Sequence, residues 1–510
     1  MEKQIYNLDM PVLKIPDGVD HKQTYNWTLR QAVEGLQLFG GIGSGKTSSS
    51  GRMVALKYLS LNFGGLVLTA KTDEKTHWEE LCRIAGRSND LIIIEPGGKH
   101  YFNLMEHLAA GGEQQAFVEN IVHVLNTVIR ASNEKQGGGE DTMFWENALH
   151  MTMFNVITLC QLAYGEKITL QLIYDVAQSL PKKSEQGAAA PSAEQARNTA
   201  YARAFLKASA RVDQLTKDFK ATLSEAQKNL PKEQLDDLLE EGVPQLRRMN
   251  QLDNFFFEVL HNLSSRTRSV IDFCFLGFLF GLLQDPIYSL LCKHEATFKL
   301  TDCFEHGKII LINLPVKKFH KIGRDSQCML KFLWQQAMES RDITQNERPV
   351  FLWGDESQLF LHEYDAEYQA TARSSRIATV YISQNLPNYY ANMGGDKSEY
   401  KVKSFLGTLG TKIFHANADM ETNRYASELI GEAWQEEHQH GENVGNQQFG
   451  ASKTSSWVLR KVVRPEQLVG LKTGGDHNKK IAVGYMHVQG KKFASGFNHT
   501  AVSFSQEFSP

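Results

Sequence analysis

The spacing of apolar and polar positions divides the chain into three textures. Over residues 36–108 short apolar runs alternate with helix-like stretches. Residues 36–39 are strand-like, residues 65–69 and 91–95 are apolar on both faces, which predicts buried strands, and residues 74–85 carry the helical period between the last two. That rhythm predicts a parallel α/β sheet. From residue 111 to about 292 strand signals are scarce. Residues 113–130, 143–164 and 203–251 are helix-periodic, 182–200 form a polar Ala/Ser/Gln/Pro stretch, and Gly137-Gly138-Gly139 suits a hinge near the entrance. Residues 270–283 are the most apolar run; they are too short to span a bilayer and contain Asp272, so they predict a buried helix. Strand texture returns at residues 308–315, 350–353, 378–383, 411–414 and 480–485. Residues 436–456, rich in Gln, His, Asn, Gly and Ser, read as an exposed loop, and 503–510 as a tail. The fold class that follows is α/β, with a central, mostly parallel sheet built from residues 1–110 and 296–510 and interrupted by an all-α domain at 111–295.

The first predicted strand runs into Gly40-Gly41-Ile42-Gly43-Ser44-Gly45-Lys46-Thr47, a complete G-x-x-x-x-G-K-T loop, and then into a helix starting at Ser48. Glycines let successive backbone N–H groups turn inward on a triphosphate, lysine reaches the β/γ oxygens, and the threonine hydroxyl is placed to hold Mg2+. Strand, spacing, Lys46, Thr47 and following helix agree, so residues 40–48 are the expected site for ATP and Mg2+. Hydrolysis also needs a carboxylate for the metal and a group for the attacking water. Asp355 and Glu356 end an apolar strand, where unpaired buried charge would be costly. Asp355 is expected on Mg2+ and Glu356 on the water. Glu95, followed by Pro96, is better explained as a strand ending in a turn. Gln384 closes the next strand, where an amide can sense the γ-phosphate as in RecA-type motors. Arg373 and Arg376 precede that strand, and an arginine there can reach a nucleotide held by an adjacent subunit.

Composition narrows the classes. At 510 residues the chain exceeds one ordinary core. Lys plus Arg at 55 against Asp plus Glu at 58 leaves a net charge of −3, so contact with nucleic acid requires a local basic patch. Six scattered cysteines without C-x-x-C spacing fit a reduced, cytoplasmic protein, and no long apolar run marks the N-terminus.

In chain order these landmarks resemble the type IV coupling proteins of conjugation and secretion, within the wider FtsK/HerA-type group of translocases. Gly43-Ser44-Gly45-Lys46-Thr47 resembles the family's Walker A loop, and Asp355-Glu356 its Walker B pair. Ala70-Lys71-Thr72-Asp73-Glu74 sits where the family has a D-P-K-G-E-like turn, lacking its aspartate and proline. Glu95-Pro96 with residues 101–105 resembles "F-D-P … F-N-P-L", and Phe144-Trp145 heads the helical insertion as "F-W" does. Arg373 falls at the arginine-finger position ahead of the motif III glutamine, matched by Gln384, and residues 464–468 resemble the closing "R-P-x-x-L". Typical members begin with two transmembrane helices, whereas the phosphate loop here starts at Gly40. The resemblance implies a soluble variant of a RecA-like P-loop motor, forming a ring of six around DNA, with Arg373 completing a neighbour's site. It would be cytoplasmic in a bacterium and brought to the inner membrane by a partner. Sequence-independent backbone contacts are expected from a basic cluster. The best is Lys317, Lys318, Lys321 and Arg324 in a loop after a core strand; Lys99 with His100, and Lys397 with Lys401 and Lys403, are lesser ones.

Two other readings stay open. One is a nucleotide-gated platform that recruits protein substrates through the helical domain. The other is a DNA-patrolling motor of a defence system whose separate partner carries the nuclease, since none is visible here.

Overall fold

The structure is a computed structural model and describes residues 6–17, 23–109, 114–133, 140–181, 198–362, 364–393, 398–445 and 448–509. The glycine triplet at 137–139, residues 182–197 of the polar stretch, and Lys397 lie outside the described residues. The chain forms two compact units. One comprises Met1–Ile93, Leu300–His320 and Leu333–Pro510; the other comprises Ile94–Lys299 and Lys321–Phe332.

In the first unit, two strands, β1 (Pro11–Asp17) and β2 (Gln23–Thr28), form an antiparallel ribbon. The main sheet uses β3 (Leu36–Phe39), β4 (Gly64–Leu68), β5 (Leu91–Ile94), β6 (Ile309–Ile312), β7 (Val350–Asp355), β8 (Ile377–Ser383) and β9 (Thr411–His415). Two more strands, β12 (Ile481–Val488) and β13 (His499–Ser505), complete it after a second ribbon of β10 (Glu432–Gly445) and β11 (Gln448–Lys461). The nine-stranded order is β13-β12-β9-β3-β8-β7-β4-β6-β5. The pairs β3–β8, β3–β9, β7–β8, β4–β7 and β4–β6 are parallel, and β12 runs antiparallel to both its neighbours.

Burial on both faces explains the mostly apolar runs: every residue of β3, β4, β6, β7, β8 and β9 is buried, Gln37 and Lys412 included. Trp78 stacks on Phe351 at 5.7 Å and meets Trp353 edge-on at 5.3 Å, which fixes the helix Glu74–Ile84 against β7. Gly64 and Gly65 in β4 are forced by close approach. A Cβ at Gly64 would lie 1.9 Å from the Cys303 carbonyl oxygen, and one at Gly65 would lie 2.6 Å from the Phe351 ring.

The second unit is helical: Gln114–Asn133, Glu140–Tyr164, Leu170–Gln178, Ala200–Thr222, Lys232–Gly242, Pro244–Asn254 and Ser265–Leu282. Thr169, Thr199 and Ser264 cap their helices by accepting from the N–H three residues on. Among the described residues no helix is long and apolar enough to cross a membrane.

Five expectations change. Residues 91–94 form the edge strand β5, with Leu91 and Ile93 only half-buried, rather than a strand buried on both faces. Ser503–Ser505 of the expected tail pair within β13. Residues 436–456 are not a loop but most of the β10–β11 hairpin, paired in register from Glu432↔Lys461 to Gly445↔Gln448. Polar residues on both faces hide a strand from a hydrophobic reading, because a free-standing ribbon needs no core face. Cross-strand ion pairs, Glu432 with Lys461 at 3.1 Å and Glu437 with Arg460, hold its base. The helix Ser265–Leu282 buries Ile271, Phe275, Leu279 and Leu282 but leaves Phe273 81% exposed, so it is amphipathic in placement though apolar in composition. Lys317 to Arg324 belong to the helix Val316–Glu339, with a break at His320, rather than to a loop.

Candidate nucleotide site

Strand order decides the site. Since β8 lies between β3 and β7, and β4 lies on the other side of β7, the loops leaving these four parallel strands open at one carboxyl edge. The phosphate loop leaves β3, Asp355 ends β7, Gln384 follows β8 and Lys71 follows β4. They surround a cavity of about 680 Å3 lined by residues 42–48, Ala70, Lys71, Val316, Lys317, Glu356, Gln358, Leu359 and Gln384.

Gly43 and Gly45 sit at φ +72° and +83°, the left-handed region that a side chain disfavours. Gly41 donates its N–H to Ala416 O at 2.8 Å and Gly40 to Ser383 O at 3.3 Å, so the loop is anchored to the sheet. Among the described residues, the N–H groups of Gly43, Gly45 and Lys46 meet no acceptor, and the buried Ser44 hydroxyl has none either. Free donors around a buried lysine at the start of a helix suit an anion. Burial lowers the pKa of Lys46, while Asp355 and Glu356 act to raise it.

Thr47 Oγ1 donates to Asp355 Oδ2 at 3.1 Å, which brings together the hydroxyl and carboxylate expected on Mg2+. Glu356 is held in the left-handed region at φ 52°, an expensive conformation for a glutamate that aims its side chain into the cavity beside Lys46. Its carboxylate accepts from Gln358 Nε2 at 3.0 Å and from Gln384 Nε2 at 3.1 Å. Burial pushes the Glu356 carboxyl up. The amides of Gln358 and Gln384 and the cations Lys71 and Lys46 outweigh it and hold the pKa below the usual glutamate value.

Lys71 is the residue that motif reasoning left without a role. Its Nζ lies 3.2 Å from Glu356 and 3.6 Å from Asp355. Burial acts to lower its pKa, but the two carboxylates prevail and raise it. Glu74 fixes the turn, its carboxylate accepting from the N–H of Ala70 at 2.9 Å and of Lys71 at 3.3 Å. Burial, and Asp355 second, push the Glu74 carboxyl well up. The signal was the lysine and glutamate three residues apart after a buried strand. Behind the loop, His415 is fully buried, with Nε2 2.7 Å from Ser50 Oγ and Nδ1 3.1 Å from Val483 O. Burial drives its pKa to about 4, so the ring is neutral and Nδ1–H donates to the carbonyl.

Other expected residues lie elsewhere. Arg373, just past the helix Tyr364–Ala372, is half-exposed, outside the cavity and 3.4 Å from Glu34. Arg376 is structural, bonding Tyr6 O and lying 3.6 Å from Glu347. Lys317 lines the nucleotide cavity itself, and Lys318 lies over the Phe319 ring. Lys321 and Arg324 both bond the buried Asp325 carboxylate, at 3.1 and 2.9 Å, so much of that cluster's positive charge is compensated. Lys403 pairs with Glu399 at 2.6 Å. Glu95 follows an edge strand, beyond the cavity lining.

Residues 349–473 match a family model described as the TraM recognition site of TraD and TraG. Three solved structures share the fold. The unbound monoclinic form of the bacterial conjugative coupling protein TrwB is 10% identical, with a TM-score of 0.55 over 94% of this chain and 86% of that one. The plasmid coupling protein TrwB with ADP and Mg2+ is 11% identical, with a TM-score of 0.53 over 95% and 88%. TrwB with a non-hydrolysable ATP analogue is 12% identical, with a TM-score of 0.51 over 94% and 88%. About a quarter of the chain thus resembles the TraD and TraG model, and the chain shares the fold of the coupling protein TrwB. No curated protein matches it. The matched segment begins just before β7 and carries Asp355, Glu356, Gln384 and the β10–β11 ribbon.

Proposed function

We propose that the chain is an ATP-hydrolysing motor that assembles as a ring, six subunits in the family pattern, and translocates or delivers DNA, alone or with bound protein, to a transfer channel. The observation that carries this reading is that Lys46, Thr47, Glu356 and Gln384, hundreds of residues apart, line one cavity. Residues 40–48 would hold the triphosphate, and Thr47 with Asp355 would hold Mg2+. Bound there, the metal would neutralise charge on the phosphate oxygens. Glu356, kept ionised by Lys71 and the two amides, accepts the proton of the attacking water, and Gln384 fixes the carboxylate's direction. Lys46 stabilises charge on the transferred group. Arg373, turned away from its own subunit's cavity, would act on a neighbour's nucleotide. Lys317 lines the cavity and would meet the nucleotide rather than DNA, which leaves Lys318 as the cluster's first candidate for the DNA backbone, with Lys321 and Arg324 secondary. Work would take place on the cytoplasmic side, beside partner proteins of a conjugation, secretion or defence system.

The test is ATP turnover of the purified chain with and without single- or double-stranded DNA, beside Lys46→Ala and Glu356→Gln. DNA-stimulated turnover absent from both variants supports the motor. Turnover indifferent to DNA, with nucleotide-dependent capture of a protein alone, favours the recruitment platform. Exposure of Phe273 and Phe280 on the helical unit supports that second reading.

A further inference from the structure

The helical unit contains a second cavity, of about 840 Å3, that the nucleotide chemistry does not use. Its size lies within the range of small-molecule sites. Met105, Phe117 and Val212, all buried, give it apolar walls, while Lys167, Arg211 and Arg248 bring three cations to the same space. Charge is unbalanced. Among the described residues Glu106 is the one carboxylate on the lining, and its Oε2 is committed to the N–H of Ala296 at 3.1 Å. Arg211 Nη1 donates to Leu162 O at 3.3 Å, which orients its guanidinium without neutralising it. Among the described residues, the side chains of the exposed Lys167 and the half-buried Arg248 make no ion pair or hydrogen bond. Cations gathered against apolar walls repel one another and gain when an anion is shared between them.

We propose that this cavity is a binding site for an amphipathic organic anion, with a phosphate- or carboxylate-class head at Lys167, Arg211 and Arg248 and an apolar body against Phe117 and Val212. The site is independent of the phosphate loop. Its ligand chemistry is set by the juxtaposition of three cations with an apolar wall. Two arginines favour a planar or tetrahedral oxyanion, which they can grip by paired N–H groups.

Isothermal titration calorimetry of the full chain with octyl phosphate tests this directly. One saturable site is expected, with inorganic phosphate and octanol each binding at least tenfold more weakly. Arg248→Glu and Arg211→Glu should each weaken octyl phosphate at least tenfold, about 1.4 kcal/mol. Arg248→Lys, which keeps the charge but not the paired N–H groups, should recover only part of the affinity, and Lys46→Ala should leave it unchanged. Arg248→Gln, with the thermal midpoint checked for each variant, serves where charge reversal prevents folding. The proposal is overturned if octyl phosphate does not bind, if inorganic phosphate or octanol binds equally well, or if binding depends on Lys46 and not on Arg248.

Discussion

Replacing Lys71 by methionine removes a cation from between the two carboxylates while keeping the length of the side chain. Lys71 Nζ is 3.2 Å from Glu356 and 3.6 Å from Asp355, and its side chain is 30% exposed. Water access places the interaction near the weak end of the Coulomb range. At a water-like dielectric the Glu356 contact amounts to about 1.3 kcal/mol, or about one pH unit. A positive neighbour favours the ionised carboxylate, so Glu356 has a lowered pKa and its removal must raise that pKa. The proton-accepting form of Glu356 is then lost at a higher pH as the solution is acidified. The assay is kcat/KM for ATP against pH, which reports the groups of the free enzyme. Lys71→Met should move the acid limb up by about one unit while leaving kcat/KM within about tenfold of the parent at pH 8, where Glu356 is ionised in both. Lys71→Arg should restore the limb. An unmoved acid limb in Lys71→Met would refute the claim that Lys71 holds Glu356 in its charged form.

Arg373→Ala should abolish turnover with nucleotide affinity nearly intact in a fluorescent-nucleotide titration; a loss of affinity equal to that of Lys46→Ala would exclude action on a neighbour's site. Glu34→Ala, which removes the half-exposed partner of Arg373, should lower stability by less than about 1 kcal/mol in urea unfolding. Gly64→Ala should lower the thermal midpoint by many degrees, because its Cβ would overlap backbone oxygen of Cys303 and β4 cannot shift without moving β6 and β7. The stability curve should fall as pH drops from about 6.5 toward 4. Burial holds His415 and His487 at about 4, so the unfolded chain binds protons that the folded one refuses, at a cost of up to about 3 kcal/mol for each ring. His487→Gln should flatten that slope, and a slope equal to the parent's would show that burial of this ring is not its source.

Local pattern determined what depends on near neighbours in sequence. The phosphate loop was legible because its function needs glycines, a lysine and a threonine at fixed spacing. Strands β4, β6, β7 and β8 were legible because burial on both faces leaves a mostly apolar run, whereas β3 and β9 bury Gln37 and Lys412 within theirs. Asp355 and Glu356 stood out because adjacent carboxylates at the end of such a run require a cation. Tertiary structure alone decided what depends on strand order and on compensation at a distance. Lys71 joins the site only because β4 is placed beside β7, a fact that no spacing between residues 71 and 356 encodes. The basic run at 317–324 changes meaning because helical geometry puts Lys321 one turn from Asp325, and the polar residues at 436–445 and 448–456 become strands because each finds a partner across a hairpin. Charge and polarity are properties of a residue; which opposing group meets them is a property of the fold.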